Sequence, residues 1–143
     1  MVIGKRLVLA LKPFLIHFPA ALAIYRGVRD QLSAMAKPVP TPWGFKLTGN
    51  IAMAEGSFEP VETNLVRKIL NDVDILVNVG ANIGYYCCHA LGMNKEVIAF
   101  EPIPRNLRCL CQNIKGNGWS GAEIYPIALS NFVGVLEIYG GDT

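Results

Sequence analysis

From Trp43 onward, short apolar runs alternate with longer stretches in which apolar positions recur every three or four residues. Trp43-Gly44-Phe45-Lys46-Leu47-Thr48 alternates in the manner of a short strand, and Gly49-Asn50 supplies turn chemistry behind it. Glu59-Pro60 suits a helix start. Val61, Leu65, Val66, Ile69 and Leu70 then keep one helical face apolar until Asn71-Asp72. Asp74 to Val79 is a β-branched apolar run with a glycine-bearing turn directly behind it, the pattern of a buried parallel strand. The turn opens a helix, after which Glu96-Val97-Ile98-Ala99-Phe100 forms a second such run that ends at Glu101. Pro104 sits where the next helix starts, and Leu107, Leu110, Cys111 and Ile114 share one of its faces; Gly116 or Asn117-Gly118 ends it. Ala122 to Ala128 and Val133 to Tyr139 read as two further strands joined by Ser130-Asn131.

Strands separated by helices of about a dozen residues call for an α/β, Rossmann-like parallel sheet with right-handed crossovers and helices on both faces. Ligands of such sheets bind beyond the carboxyl ends of the strands, where the strand order switches. The glycine turn and Glu101 both fall at such ends.

The chain has 143 residues, room for one ordinary domain, and much of its 52% hydrophobic content lies before Trp43. Leu7 to Tyr25 is apolar enough to raise a signal peptide or membrane span, but Lys12, Pro13, His17 and Pro19 interrupt it. Residues 1–37 are therefore expected to form a basic, partly amphipathic helical arm that packs on the domain, with contact to a membrane surface as the lesser alternative. Pro38, Pro40 and Pro42 mark residues 38–42 as a linker, and residues 43–143 as the domain proper.

A net charge of +2 with 17% charged residues sets up no field that would draw nucleic acid, so none is expected as a partner. The cysteines form two close pairs, Cys87-Cys88 and Cys109/Cys111, without the two-residue gap of a zinc knuckle or redox dithiol. They read as small buried hydrophobes in a reducing compartment, and a cytoplasmic protein is expected, with membrane association as the alternative. With only His17 and His89 beside them, no metal site is expected.

Gly80 and Gly84 let a ligand approach the backbone, since glycine has no side chain in the way and tolerates unusual dihedrals. Roughly 20 residues further on, an acid closing the second strand can accept hydrogen bonds from both hydroxyls of an adenosine ribose, and Glu101 occupies that place. Neither feature is specific alone; together, each behind a strand of the right type, they point to a nucleoside ligand. In the dinucleotide fingerprint the middle glycine lets a pyrophosphate lie against the backbone, but here Asn82 fills that position. A zwitterionic methionine tail suits Asn78 and Asn82 better, so S-adenosylmethionine is favoured over NAD. A P-loop is excluded because no Lys-Ser or Lys-Thr follows the glycines.

At these positions the sequence resembles the FkbM family of methyltransferases, which has a class I S-adenosylmethionine-binding fold. Trp43-Gly44-Phe45-Lys46, Phe58-Glu59-Pro60 with Glu62, Asn78 to Tyr86, Val97 to Pro102 and Ala128-Leu129-Ser130 are similar to that family's blocks in order and spacing, over residues 43–139. The resemblance implies that Gly80, Ala81, Asn82 and Gly84 line the methionine part of the cofactor beside Asn78. Glu101, followed by Pro102, would hold the ribose, and Ala128 would lie near the adenine. It further implies methyl transfer to a hydroxyl of a small molecule or sugar. Two departures stand out. Asn78 replaces the family's usual aspartate, losing the charge that favours an ammonium. The chain also stops before the family's next acidic strand, so it is expected to be the front part of the fold, either in an active enzyme or as a non-catalytic adenosine-binding fragment. An NAD-dependent oxidoreductase is the third and weakest reading. Glu59, Glu62 and His89 are bases by type only and read as structural; Tyr85 and Tyr86 are expected in the core or on its rim.

Overall fold

The computed structural model describes residues 18, 20, 21, 24, 27 and 37–137. The chain divides into two units, Met1–Met35 and Ala36–Thr143. In the first, Ala20, Ala21, Ile24 and Gly27 are helical, and the remaining expectations for the arm lie outside the described residues. Among the described residues no helix is long and apolar enough to cross a membrane.

The second unit is built from β1 (Val39–Pro40), β2 (Lys46–Leu47), α1 (Ile51–Glu55), α2 (Pro60–Ile69), β3 (Ile75–Val79), α3 (Tyr85–Gly92), β4 (Glu96–Phe100), α4 (Pro104–Gly116) and β5 (Ala122–Tyr125). Strands β3, β4 and β5 form a parallel sheet in that order, in register Leu76 to Val97 to Ala122 and Asn78 to Ala99 to Ile124. This is the Rossmann-like α/β arrangement expected from the alternation of apolar runs and helices.

Helices are expected on both faces; among the described residues α3 and α4 cover one. Because the strand order runs in one direction, same-handed crossovers deliver both α3 and α4 to the same side. There Cys87, Ala90 and Leu91 of α3 and Leu110 and Ile114 of α4 bury Val97 and Ala99, with Leu76, Ala122 and Ile124 packed at the margin. The opposite face leaves Ile75, Val77, Val79 and Tyr125 exposed, and Phe100 stacks on Tyr125 there. The free edge of β3 is where a switch in strand order would fall.

Three local readings also change. The proline stretch is not featureless: Val39–Pro40 pairs antiparallel with Lys46–Leu47, and the Thr41 amide and hydroxyl both donate to the Phe45 carbonyl at 2.8 Å, closing the turn between them. A short helix, α1, follows Asn50, whose side-chain oxygen accepts from the Ala52 and Met53 amides. The strand expected over residues 133–139 is absent through residue 137, with Val133 and Val135 fully exposed; residues 138 and 139 lie outside the described residues. Alternation alone makes no strand where no neighbour offers a ladder.

Helix α2 also turns a different face inward from the one its apolar pattern suggests. Val61, Leu65 and Ile69 are exposed, whereas Thr63 and Leu70 are buried and Val66 and Arg67 half-buried. Hydrogen bonds to α3 fix this rotation. The Tyr85 hydroxyl meets Thr63 Oγ1 at 3.1 Å, and Arg67 Nη1 meets His89 Nδ1 at 3.0 Å.

Candidate functional site

Between β3 and α3 the chain takes three left-handed conformations in five residues: Gly80 (φ 75°), Asn82 (φ 53°) and Gly84 (φ 83°). Asparagine is among the few side chains that tolerate this region, so Asn82 does not break the turn. The Gly80 and Ala81 amides both donate to the Phe100 carbonyl, at 2.9 and 3.0 Å, which ties the turn to the end of β4. The two glycines have different tasks. A Cβ on Gly80 would meet nothing within 4 Å, leaving the backbone open to a ligand, whereas a Cβ on Gly84 would collide with Leu110 Cδ1. Gly84 therefore permits α3 to pack on α4, and its role is in the core.

Glu101 follows β4 and is 3% exposed. Its Oε2 accepts from the Asn82 amide at 2.7 Å; its Oε1 accepts from the Ile103 amide at 2.9 Å and from Asn106 Nδ2 at 3.4 Å. A carboxylate has about four lone-pair positions, so these three donors leave room for one more. Two ribose hydroxyls would have to take the place of one of them. Asn78 sits on the covered side of the sheet, where its amide donates to Cys87 Sγ at 3.4 Å and anchors α3. Ala81 is buried in the core beneath the turn, while Gly80 and Asn82 are exposed. Pro102 and Ala128 lie together in a separate cavity of about 320 Å³, lined also by Pro126, Ile127, Ser130 and Phe132. The structure thus brings Gly80, Asn82 and Glu101 into one cluster, places Pro102 and Ala128 in a second, and sends Asn78, Ala81 and Gly84 into packing.

Of the candidate bases, Glu59 and His89 have structural partners, and Glu62 is exposed in the first turn of α2. Glu59 begins α2 in a left-handed conformation (φ 40°), makes no cap bond, and accepts from the Tyr86 hydroxyl at 2.8 Å. Burial and that carboxylate push the Tyr86 phenol up to about 12, so it remains a donor. Tyr85 is buried and Tyr86 half-buried, as expected of residues in the core and on its rim. Burial raises the Cys87 thiol to about 11 and the Cys88 thiol further still; Cys109 is also buried and Cys111 half-buried. Cys87 and Cys88 are inert packing groups. Among the described residues no cluster of His, Cys, Asp and Glu could hold a metal.

His89 is fully buried in edge-to-face contact with Trp43, Phe45 and Tyr85, at ring separations of 4.5, 5.0 and 4.7 Å. Arginine can only donate, so Nδ1 accepts from Arg67 and the proton sits on Nε2, which has no hydrogen-bond partner. Burial, and secondarily the Arg67 charge, lower the imidazole to about 4. The unfolded chain, titrating near 6.5, binds more protons between these values. Stability is therefore complete above pH 6.5 and is lost as the pH falls towards 4, by up to about 3 kcal/mol. Urea midpoints across this range should show that acid limb, and His89→Phe should flatten it. An equally steep limb in the variant would assign it to other groups.

Sequence reasoning overlooked the asparagines of α4. Asn106 and Asn113 stand seven residues apart inside α4, although asparagine is a poor helix-interior residue, and Asn117 follows four residues later as the C-cap. That mismatch between residue type and element was the available signal. Asn106 and Asn113 are buried and hydrogen-bonded to the site's own groups.

No family model matches the chain, and no curated protein matches it. Among solved structures it is similar to aTrm5 in its complex with tRNALeu, at 22% identity and a TM-score of 0.47 over 62% of this chain and 27% of that one. It is also similar to the M. jannaschii tRNA m1G37 methyltransferase, at 23% identity and a TM-score of 0.47 over 66% of this chain and 30% of that one. The chain thus spans less than a third of the length of either structure. One of these proteins is bound to a tRNA and the other is a tRNA methyltransferase, so the expectation that nucleic acid is no partner is withdrawn. Net charge sums over a whole chain and says nothing about what a local site reads.

Proposed function

We propose that this chain carries the S-adenosylmethionine-binding part of a methyltransferase of the FkbM kind. The observation that carries the reading is the 2.7 Å hydrogen bond from the Asn82 amide to Glu101, which makes the glycine turn after β3 and the acid after β4 one site at the carboxyl ends of adjacent parallel strands. The residues present can be fitted to such a cofactor: Gly80 offers unobstructed backbone, Glu101 retains acceptor capacity for one ribose hydroxyl, and the cavity at Pro102 and Ala128 offers partly apolar walls for a base. When bound, the cofactor would supply an electrophilic methyl group. The chain's own part would be positioning, with Asn82 and Gly80 flanking the methionine end and Glu101 orienting the ribose. The acceptor implied by the resemblance is a hydroxyl of a small molecule or sugar.

Calorimetry of this chain, and of a version extended downstream, with S-adenosylmethionine, S-adenosylhomocysteine and NAD tests the reading. Binding of the two methionine cofactors and not NAD is the expected result. Binding of NAD alone would sink it. If the extended chain binds the cofactor but transfers no methyl to hydroxyl or tRNA acceptors, the site is a non-catalytic adenosine-binding one, a reading favoured by the lost charge at Asn78.

A further inference from the structure

Resting on the reading of the turn as a cofactor site, we infer that Asn113 is a positioning residue for it, clamping the turn to strand β2 through a side-chain amide that acts as a piece of missing strand. Asn113 is 2% exposed and uses both ends of its amide. Its Oδ1 accepts from the Thr48 amide at 2.7 Å; its Nδ2 donates to the Thr48 carbonyl at 3.2 Å and to the Ile83 carbonyl, inside the glycine turn, at 2.8 Å. One turn of helix later Asn117 repeats the pattern on Lys46, accepting from its amide and donating to its carbonyl, both at 2.7 Å.

The repeat has a geometric cause. Four residues of helix rise about 6 Å, and two residues of strand about 6.7 Å. Lys46 of β2 and Thr48 just behind it turn their backbone groups to the same edge of the chain, while Leu47 between them pairs with Val39 on the other. Asn113 on α4 and Asn117 at its C-cap, four apart, therefore match two extended residues two apart. The two clamps differ in one respect that matters for function. Asn117 spends its remaining bond on the Asn113 carbonyl within its own helix, whereas Asn113 spends its own on the turn. Only Asn113 joins the β1–β2 ribbon, α4 and the turn at one atom.

The test compares Asn113→Ala with Asn117→Ala, using S-adenosylhomocysteine affinity by calorimetry and amide hydrogen exchange at Gly80 to Gly84. Both variants lose a β2 clamp and should lose stability alike. Asn113→Ala alone should weaken affinity by about tenfold, the worth of one hydrogen bond, and speed exchange in the turn. Asn117→Ala should stay within about twofold on both readouts. Equal effects of the two variants, or unchanged turn exchange in Asn113→Ala, overturn the assignment. If the alanine variant does not fold, Asn113→Asp keeps the acceptor for the Thr48 amide and removes both donors, and the same comparison applies. Faster turn exchange in Asn113→Ala alone, in a protein that binds no S-adenosylhomocysteine even as wild type, would leave the clamp standing and remove the cofactor reading.

Discussion

Gly84→Ala should destabilise the domain by about 3 kcal/mol, since the added Cβ has the tightest contact among the described glycines. Two costs add. An alanine at φ 83° is strained by roughly 1 kcal/mol, and its Cβ would collide with Leu110, which is itself fully buried and has nowhere to go. Gly80→Ala is the matched control. Its φ of 75° brings the same strain, but nothing lies within 4 Å of the added atom, so a loss of only about 1 kcal/mol is expected. Urea unfolding of the two variants separates the costs, and equal losses would mean that α3 and α4 are not packed as described. Truncating Leu110 in the Gly84→Ala background should recover part of the clash and none of the backbone strain, so the two substitutions should be non-additive.

Glu101→Ala should act twice, on stability and on ligand affinity. Removing the carboxylate leaves the Asn82 and Ile103 amides without an acceptor near a buried position, at about 1 to 3 kcal/mol each where water cannot enter. S-adenosylhomocysteine affinity should fall by roughly 2 kcal/mol more, from the loss of a charged hydrogen-bond acceptor. Glu101→Gln keeps the size but points an amide donor at one of those amides, so it should destabilise less than alanine and bind little better. Denaturant unfolding and calorimetry on the same preparations read the two effects. A Glu101→Ala protein of lowered stability but unchanged affinity would leave Glu101 as a brace for the turn and take it out of the ligand site.

The exposed groups of the turn and the engaged groups beneath it divide the labour of the site. Gly80 and Asn82 face outward, while Ala81, Ile83 and Gly84 are buried, and the turn is held from below by Phe100, Glu101 and Asn113. A ligand bound there would meet a surface already ordered by backbone hydrogen bonds, which would lower the ordering cost of binding. Asn78, expected as a ligand group, also helps hold α3 to the sheet through Cys87.

The amino-acid sequence by itself determined the order of elements from α2 to β5, the turn at Gly80 to Gly84, and the pairing of that turn with Glu101. Each of these is a local matter: period, turn chemistry, and the spacing of one β-α-β unit. Tertiary structure alone decided which face of α2 is buried, because polar bonds from Thr63 and Arg67 to α3 outweighed the stripe of Val61, Leu65 and Ile69. It also decided that, among the described residues, the helices α3 and α4 lie on one side of the sheet, since strand order is a property of the whole chain and no residue encodes it. The separate tasks of Gly80 and Gly84 and the clamp made by Asn113 belong to the same class. They depend on Leu110, Thr48 and Ile83 arriving from distant positions, and a linear pattern carries no record of such meetings.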